Sequence, residues 1–296
     1  MKMRRCVVFL LLGLSSLISL PLASAATIRL LVPLYDYTPG QAEATLGAGI
    51  SNNGTIVGIY VFHGQDVGYL ITPDHQFGPS IAVPGALYTI ANGVNDAGLV
   101  GGTFFMNPAE HGFLFDGSTY TTFDLPGAEH TSVTGVNDAG DFVGFGHTDG
   151  VVGATPFVSV GGVVTSFTIP GQSQVYPQAI NNLGQIAGYY DNGADHGFFR
   201  DADGTLFYPL DYPGAKSTRI RGLNDGGLMV GDYGTLSFED FAFVLKNRIH
   251  FLSYDYPDEG EHITVFGGVN NSGVISGFFQ DVSGRGTHAF IARVNP

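Results

Sequence analysis

The sequence predicts an all-β protein, a six-bladed β-propeller built from four-stranded antiparallel blades. Three observations predict this fold. A short phrase containing glycine and asparagine recurs six times, each repeat holds four strand-like segments, and the two ends of the chain supply complementary parts of one repeat. The composition agrees, because 44 of the 296 residues are Gly and only 13% are charged, which suits short strands and tight turns better than helices.

The N-terminal segment comes first in chain order. Residues 1–25 have a basic start, a short apolar run and the small-x-small sequence Ala23-Ser24-Ala25, which together are typical of a secretory signal peptide. Its cleavage leaves residues 26–296 as a single domain without cysteine, and changes the net charge from −14 to −17 because three basic residues and no acids are lost. We therefore expect a secreted protein, extracellular or periplasmic.

The repeated phrase has the form Gly-hydrophobic-Asn-x-x-Gly, with small variations. Its third residues are 44, 42, 44, 43 and 46 positions apart, and its copies, which number repeats 1 to 6, occupy residues 49–54, 93–98, 135–140, 179–184, 222–227 and 268–273. Asn and Asp side chains bond to nearby backbone at the start of a turn, and the closing Gly adopts a positive φ without strain. Each phrase is therefore interpreted as a hairpin turn with a structural role.

Four strand types are recognised in each repeat. The first carries an aromatic residue after a small one, as in Gly112-Phe113, and the second runs into a proline, as in 122–126. The third leads from a Thr to the Asn turn, and the fourth follows that turn with alternating residues such as Ile186, Gly188 and Tyr190. The aromatic residues beside the fixed Gly of the fourth type predict ring-over-glycine packing between neighbouring sheets.

The ends of the chain fit together. The mature chain opens with a strand of the second type, residues 28–36, and closes with one of the first type, residues 288–294. Each end supplies what the other lacks. Pairing the N-terminal and C-terminal strands would close the ring of blades and remove the exposed edges that invite aggregation.

Three first-type strands carry the pattern His-Gly/Ala-Phe: His111-Gly112-Phe113, His196-Gly197-Phe198 and His288-Ala289-Phe290. With the neighbouring Asn phrase, this pattern resembles the HAF repeat family of bacterial extracellular proteins over essentially the whole mature chain. The resemblance implies export and a repeat architecture; it implies no established reaction and so no catalytic residues. Other residues replace the His in the remaining repeats, namely Val67, Thr155 and Phe241.

The charge distribution bears on partners. No Lys or Arg occurs between Arg29 and Arg200, and such an acidic surface repels phosphate backbones and anionic lipids. We therefore expect no nucleic-acid partner and no membrane insertion after signal cleavage. We expect instead an unknown extracellular ligand, either a glycan or a protein. We also expect the protein to be a monomer.

Two sets of residues raise the question of bound cations. The nine histidines are spread over the chain, with His130 placed in a loop and no two within five positions of each other, which predicts structural roles rather than a metal site. Acidic residues at or near a position two before a proline could form a partial ring that binds a cation, or could simply cap turns; they are Asp36, Asp124, Asp211 and Asp255. No catalytic, cofactor-binding or metal-binding residue is predicted, and no cofactor.

The sequence favours a non-enzymatic binding or scaffold module, and the alternative is an extracellular propeller hydrolase or lyase acting on a polysaccharide or small ester. The most variable loops are expected to gather on one face as the binding surface; they are residues 147–154, 191–195, 234–240 and 280–287. An enzyme should show a central pocket lined by non-repeat polar residues with shifted pKa values, whereas a binding module should show an apolar or aromatic patch.

Overall fold

The computed structural model describes residues 27–32, 36, 42–237, 239–257, 263–281 and 286–295, and the expected signal peptide, residues 1–25, lies outside these ranges. All regular elements in the described ranges are β-strands. No helix in this part of the chain is long and apolar enough to cross a membrane. The predicted all-β class is therefore confirmed.

The described residues form 23 strands. The first eight are β1 (Thr27–Val32), β2 (Ala44–Ile50), β3 (Ile56–Phe62), β4 (Gln65–Ile71), β5 (Tyr88–Val94), β6 (Val100–Met106), β7 (Ala109–Phe115) and β8 (Tyr120–Phe123). The next eight are β9 (His130–Val136), β10 (Phe142–His147), β11 (Thr155–Val160), β12 (Val163–Ser166), β13 (Gln174–Ile180), β14 (Ile186–Asp191), β15 (Asp195–Arg200) and β16 (Leu206–Phe207). The last seven are β17 (Ser217–Leu223), β18 (Met229–Gly234), β19 (Asp240–Lys246), β20 (His250–Tyr254), β21 (Thr264–Val269), β22 (Val274–Gln280) and β23 (Thr287–Asn295).

Four sheets contain four strands each, in the orders β5-β6-β7-β8, β9-β10-β11-β12, β13-β14-β15-β16 and β17-β18-β19-β20, with every neighbouring pair antiparallel. The seven remaining strands form one sheet in two parts, β2-β3-β4 and β21-β22-β23-β1, joined by a single parallel pair between Ala44 and Thr287. The predicted four-stranded antiparallel sheets are thus confirmed. Their spatial order is third, fourth, first and second strand type.

The two terminal strands lie side by side. β1 is antiparallel to β23, with Thr27 opposite Asn295 and Leu30 opposite Ala292, while the other edge of β23 pairs with β22. β1 therefore takes the place of a second-type strand in repeat 6. It is shorter than the predicted strand over residues 28–36, of which residues 33–35 lie outside the described part of the chain.

The third-type strands lie closest to the centre of the molecule. Each of β2, β5, β9, β13, β17 and β21 contacts the next one in sequence, and β21 contacts β2. These six strands surround a central channel lined by residues from every repeat. The fold therefore places any residue that points inward from a third-type strand close to its counterparts in the other repeats.

The Asn turns have a second role that the sequence did not indicate. Within its own turn, Asn95 Oδ1 accepts from the amides of Ala97 and Leu99 at 3.1 and 2.9 Å, as predicted. Its Nδ2 also donates to the carbonyl of Asn137 in the next repeat at 2.9 Å. The same contact joins Asn137 to Asn181, Asn181 to Asn224, Asn224 to Asn270, and Asn270 to Ser51. These buried side chains therefore link neighbouring repeats.

Ring-over-glycine packing occurs, but with a different partner from the one predicted. A Cβ on Gly102 would lie 2.5 Å from the ring of Phe113, which is directly opposite on the next strand of the same sheet. The same arrangement holds for Gly58 with Tyr69, Gly144 with Phe157, Gly188 with Phe198, and Gly277 with Phe290. The predicted packing between neighbouring sheets is wrong, because the cross-strand residue is nearer than any residue of the next sheet.

Replacing Gly102 with Ala is expected to destabilise the protein by about 1–3 kcal/mol, because overpacking forces side chains and backbone to shift. The new methyl group would lie 2.1 Å from the Ile90 carbonyl oxygen as well as against Phe113. Gly78→Ala is a matched control, since its Cβ meets nothing closer than 3.4 Å. Urea unfolding of both variants checks the prediction, and equal midpoints for the two would contradict it.

Candidate functional site

The central channel has three segments of different width. At the end formed by the Asn turns it holds about 60 Å³. A collar of aliphatic residues follows, with about 70 Å³; it consists of Ile50, Val94, Val136, Ile180, Leu223 and Val269. At the other end the channel widens into a cavity of about 230 Å³, which is lined by residues from all six repeats. This cavity is the candidate functional site.

One channel position differs in every repeat. It directly precedes the repeated phrase, and its six occupants are Ala48, Asn92, Thr134, Gln178, Arg221 and Gly267. In repeats 2 to 6 this residue is the extra one of a β-bulge, as where Ala91 pairs with Gly102 and Gly93 with Gly101, leaving Asn92 unpaired. Bulges re-aim a side chain and are common beside active sites. The variation within an otherwise regular pattern is a signal that sequence reasoning could have used.

A cross-strand pair next to each bulge also differs between repeats. The pairs are Leu46 with Ile59, Ile90 with Thr103, Ser132 with Phe145, Tyr176 with Tyr189, Arg219 with Asp232, and Val265 with Phe278. Repeats 1 and 6 thus carry apolar pairs, while repeat 5 carries charges. The cavity therefore has an apolar side and a polar side.

The polar side is centred on Asp232, which is 1% exposed. Its carboxylate accepts from Arg219 Nη1 at 3.2 Å and from Arg221 Nε, and Arg219 Nε donates to Asp195 at 2.6 Å. Arg221 lines the cavity with its side chain 29% exposed. Among the described residues no protein acceptor is found for its two terminal nitrogens.

The ionisation of this cluster follows from its contacts. Burial disfavours charge on Arg219 and Arg221, but the acidic groups around them together outweigh it, Asp232 for both and also Asp195 for Arg219, and the pKa of both arginines is raised. Burial raises the pKa of Asp240, the charge of Asp232 raises it further, and the two arginines oppose the change. Burial also raises the pKa of the Tyr189 phenol. The cluster therefore places the charged Arg221 in the cavity wall, with Arg219, Asp240 and Tyr189 around it.

The raised pKa of Asp240 predicts a pH-dependent effect on stability. Between its ordinary value of 3.8 and its higher value in the folded protein, the folded state binds more protons, so stability falls as the pH rises through that window. We expect Asp240→Asn to raise the melting temperature at pH 7.5 and to change it less at pH 4.

Thermal unfolding of the wild type and of Asp240→Asn at pH 7.5 and at pH 4 measures this effect. Asp203→Asn is the control, because the Thr205 amide holds the pKa of Asp203 below its ordinary value and no gain at pH 7.5 is expected there. A destabilised Asp240→Asn variant at pH 7.5 would refute the prediction.

The histidines and aspartates singled out in the sequence form separate pairs. His111 Nδ1 lies 2.8 Å from Asp124 Oδ1, and the corresponding pairs, also at 2.8 Å, are His196 with Asp211 and His288 with Asp36. Asp255, whose repeat lacks the His, accepts from the Thr264 hydroxyl at 3.0 Å. Each carboxylate thus has a partner of its own, and the contacts favour local structural roles over a shared cation ring. The joint absence of His and Asp from repeats 1 and 3 is the sequence signal of this pairing.

Two other histidines contradict the expectation that the histidines lie apart. His130 begins β9 instead of lying in a loop, His147 ends β10, and the two are register partners. Their rings are stacked, with centroids 4.7 Å apart. Spacing along the chain missed this pair because an antiparallel hairpin brings its two distant ends together.

The variable loops lie at the ends of the strands opposite the Asn turns, since every fourth-type strand starts at such a turn. Asp195 and Asp240, which begin the strands after two of these loops, join the charged cluster. The face that was predicted to bind ligand is therefore the face next to the cavity. Most residues that line the cavity, however, lie in strands and not in the variable loops. Residues 282–285 of the last loop are outside the described part of the chain.

Comparison with known proteins identifies the fold. No protein-family model and no curated protein matches the sequence. Among solved structures, a TolB-type protein from Agrobacterium tumefaciens is 15% identical with a TM-score of 0.59, covering 92% of this chain and 98% of that one. TolB from Acinetobacter baumannii is 15% identical with a TM-score of 0.53, covering 76% of this chain and 62% of that one. An oligogalacturonate lyase from Vibrio parahaemolyticus is 9% identical with a TM-score of 0.51, covering 89% of this chain and 84% of that one. At these identities the likeness shows the fold alone, and it confirms the predicted β-propeller.

Proposed function

We propose that the protein is an exported, monomeric binding module of the HAF repeat type, and that its six repeats are six blades of a ring closed by the terminal strands. The pairing of β1 with β23 supports closure. So does the chain of Asn side-chain contacts, because Asn270 Nδ2 donates to the Ser51 carbonyl at 3.1 Å and so returns from repeat 6 to repeat 1. Export follows from the expected signal peptide, residues 1–25.

The ligand is a small molecule bound in the wide end of the channel and recognised by a carboxylate group. The observation that carries this proposal is Arg221, which lines the cavity and binds Asp232 through Nε, while no protein acceptor is found for its terminal nitrogens among the described residues. A guanidinium binds carboxylates through two parallel hydrogen bonds and stays charged at any physiological pH. An anionic group on the ligand would complete the hydrogen bonding of this side chain.

The size and the apolar side of the cavity restrict the ligand further. A volume of about 230 Å³ lies below the roughly 300–1,000 Å³ of pockets for drug-sized ligands, which favours one acidic monosaccharide or an organic acid of similar size. Phe278, Leu46 and Ile59 line the apolar side, and an aromatic ring there offers a surface for the C–H face of a sugar. The proposed ligand class is therefore a compact carboxylate with an apolar face.

Calorimetric titration with glucuronate and glucose tests the proposal, because the two sugars differ only in the carboxylate. We expect glucuronate to bind and glucose to bind at least about tenfold more weakly, since a charged hydrogen bond contributes about 1.5–3 kcal/mol. Arg221→Gln should abolish the preference. Arg200→Gln, whose guanidinium lies over the Phe167 ring, should retain it.

A glycan array probed with calcium and with chelator extends the search to larger acidic glycans. Binding confined to neutral glycans, or equal binding by the wild type and Arg221→Gln, would reject carboxylate recognition by this cavity.

A second candidate function is a hydrolase or lyase acting on a polysaccharide or small ester in the same cavity. The raised pKa values of Asp240 and Tyr189 favour it, because a raised pKa brings a general acid closer to the pH at which it works. Against it, the Thr103 hydroxyl can bond to Ser132 Oγ at 3.0 Å and Thr134 donates to the Pro177 carbonyl at 2.8 Å, so neither is paired with a base. Turnover of acidic polysaccharides or esters that disappears in Asp240→Asn would establish the enzymatic function.

A further inference from the structure

A second group of polar side chains lies at one edge of the β9–β10 hairpin, among residues that the proposed ligand site does not use. His130 and His147 come from this hairpin, and Glu110 comes from β7 in the preceding repeat. One possible metal-binding atom of each of the three residues lies within 4.8 Å of the other two. We propose that Glu110, His130 and His147 form a binding site for a divalent transition metal ion, with Zn²⁺ as the best fit.

The donor set is the first argument for the metal. Imidazole nitrogens and a carboxylate oxygen suit zinc and its neighbours in the first transition row, whereas calcium and magnesium favour oxygen alone. Two histidines and a glutamate are sufficient for a zinc site that keeps its fourth position open to water. The Zn–N and Zn–O bonds would be about 2.0–2.2 Å long, so the side chains must close around the ion.

The surroundings of the three residues are the second argument. The Glu110 amide donates to His130 Nδ1 at 3.1 Å, which ties the two sheets together, and the Tyr88 hydroxyl donates to the Glu110 carboxylate. Such outer hydrogen bonds orient metal ligands. Among the described residues, no hydrogen-bond partner is found for the ring nitrogens of His147, so they are available to an ion.

A further carboxylate is within reach. Asp149 Oδ1 lies 3.5 Å from His130 Nε2, and its side chain is 82% exposed, so it can move without disturbing the core. Glu129, His130 and Asp149 also satisfy the same 4.8 Å criterion as a second overlapping group. His130, which is 9% exposed, is therefore the residue shared by every arrangement of ligands.

The other histidines show what a structural histidine does in this protein. Each HAF-type histidine lies with Nδ1 2.8 Å from one aspartate, and His288 Nε2 also lies 3.6 Å from Asp281. His130 and His147 occupy positions where the other repeats have no histidine, and they stack on each other at 4.7 Å. A departure from the repeat that brings two histidines and carboxylates together is expected where function breaks the symmetry.

Titration of the full chain with Zn²⁺ alone tests the site, using protein treated with chelator and purified without a histidine tag. We expect one ion per chain by calorimetry, and ligand-field absorption typical of tetrahedral coordination when Co²⁺ replaces zinc. Loss of an outer-shell partner already weakens metal binding about 10–100-fold, so His147→Ala, which removes a direct ligand, should weaken it at least about 100-fold. His111→Ala is the matched control and should bind zinc as the wild type does.

Because His130 is buried, His147→Ala and Glu110→Gln are the informative variants, and circular dichroism without metal shows whether they remain folded. Absence of zinc binding by the wild type overturns the proposal, as does undiminished binding by folded His147→Ala or an equal loss in His111→Ala. Glucuronate binding is measured on the same variants. Its retention in His147→Ala separates the metal site from the carboxylate site.

Discussion

Deletion of residues 285–296 is expected to leave a protein that aggregates, or that melts at a far lower temperature than the full chain. The deletion removes β23, which pairs with β22 on one side and with β1 on the other. Both neighbouring strands would then expose unpaired backbone groups, which promote association between chains. The deletion also removes Phe290, Ile291 and Ala292 from the core, each at most 3% exposed.

The size of this effect follows from the residues that are lost. Truncation of one buried Phe to Ala costs about 3–5 kcal/mol, and a whole domain is stable by only about 5–15 kcal/mol. Loss of a central strand therefore exceeds what the fold can tolerate. Phe290→Ala provides the intermediate point, and removal of Pro296 alone is the control that should change nothing.

Melting temperature and light scattering of the three variants measure the outcome. An unchanged melting temperature after deletion of residues 285–296 would mean that the fold does not depend on its terminal strands and would contradict the proposed ring closure.

Replacement of Asp232 with Ala is expected to destabilise the protein by about 3–5 kcal/mol, because it leaves buried charge without its partner. Asp232 is 1% exposed and is bound by both Arg219 and Arg221. The loss would leave Arg221 without its carboxylate partner, while Arg219 would keep only Asp195. Asp203→Ala, in an exposed turn, should change stability far less.

A triple variant separates stability from binding. Arg219→Met, Arg221→Met and Asp232→Leu together replace the ion cluster with apolar side chains, which is often neutral or stabilising for buried ion groups. We expect this variant to regain most of the stability lost by Asp232→Ala while failing to bind glucuronate. If the triple variant binds glucuronate as the wild type does, the ion cluster does not recognise the ligand. If Asp232→Ala is as stable as the wild type, the cluster does not stabilise the fold.

The sequence was most informative where structure repeats. The Asn phrases located the turns, and the alternation in segments such as Ile186, Gly188 and Tyr190 located the strands, because turn chemistry and strand periodicity are local properties. The sequence predicted that aromatic rings pack over the glycines, but it placed these rings in the neighbouring sheet and not on the next strand of the same sheet. That failure has a simple cause, since the residue opposite Gly102 depends on strand register, which the sequence of one strand does not contain.

Patterns within short stretches of the sequence did not predict the two candidate sites. Arg221, Asn92 and Gln178 meet in one cavity although they come from different repeats, and no short motif connects them. Their signal in the sequence was the residue before each repeated phrase, which differs in all six repeats. His130 and His147 were missed for a similar reason, because ligand spacing was judged along the chain and not across a hairpin.

The amino-acid sequence alone determined the all-β class, the four-stranded antiparallel sheets and the propeller, because these depend on turns and alternation that recur with each repeat. Only the tertiary structure decided which of the non-repeating residues meet, such as Arg221 with Asp232 or His130 with His147. The physical reason is that the channel wall takes one residue beside the repeated phrase from each of the six repeats, together with a few cross-strand residues. Their proximity is set by strand register and by the packing of sheets around an axis, not by neighbours in the chain.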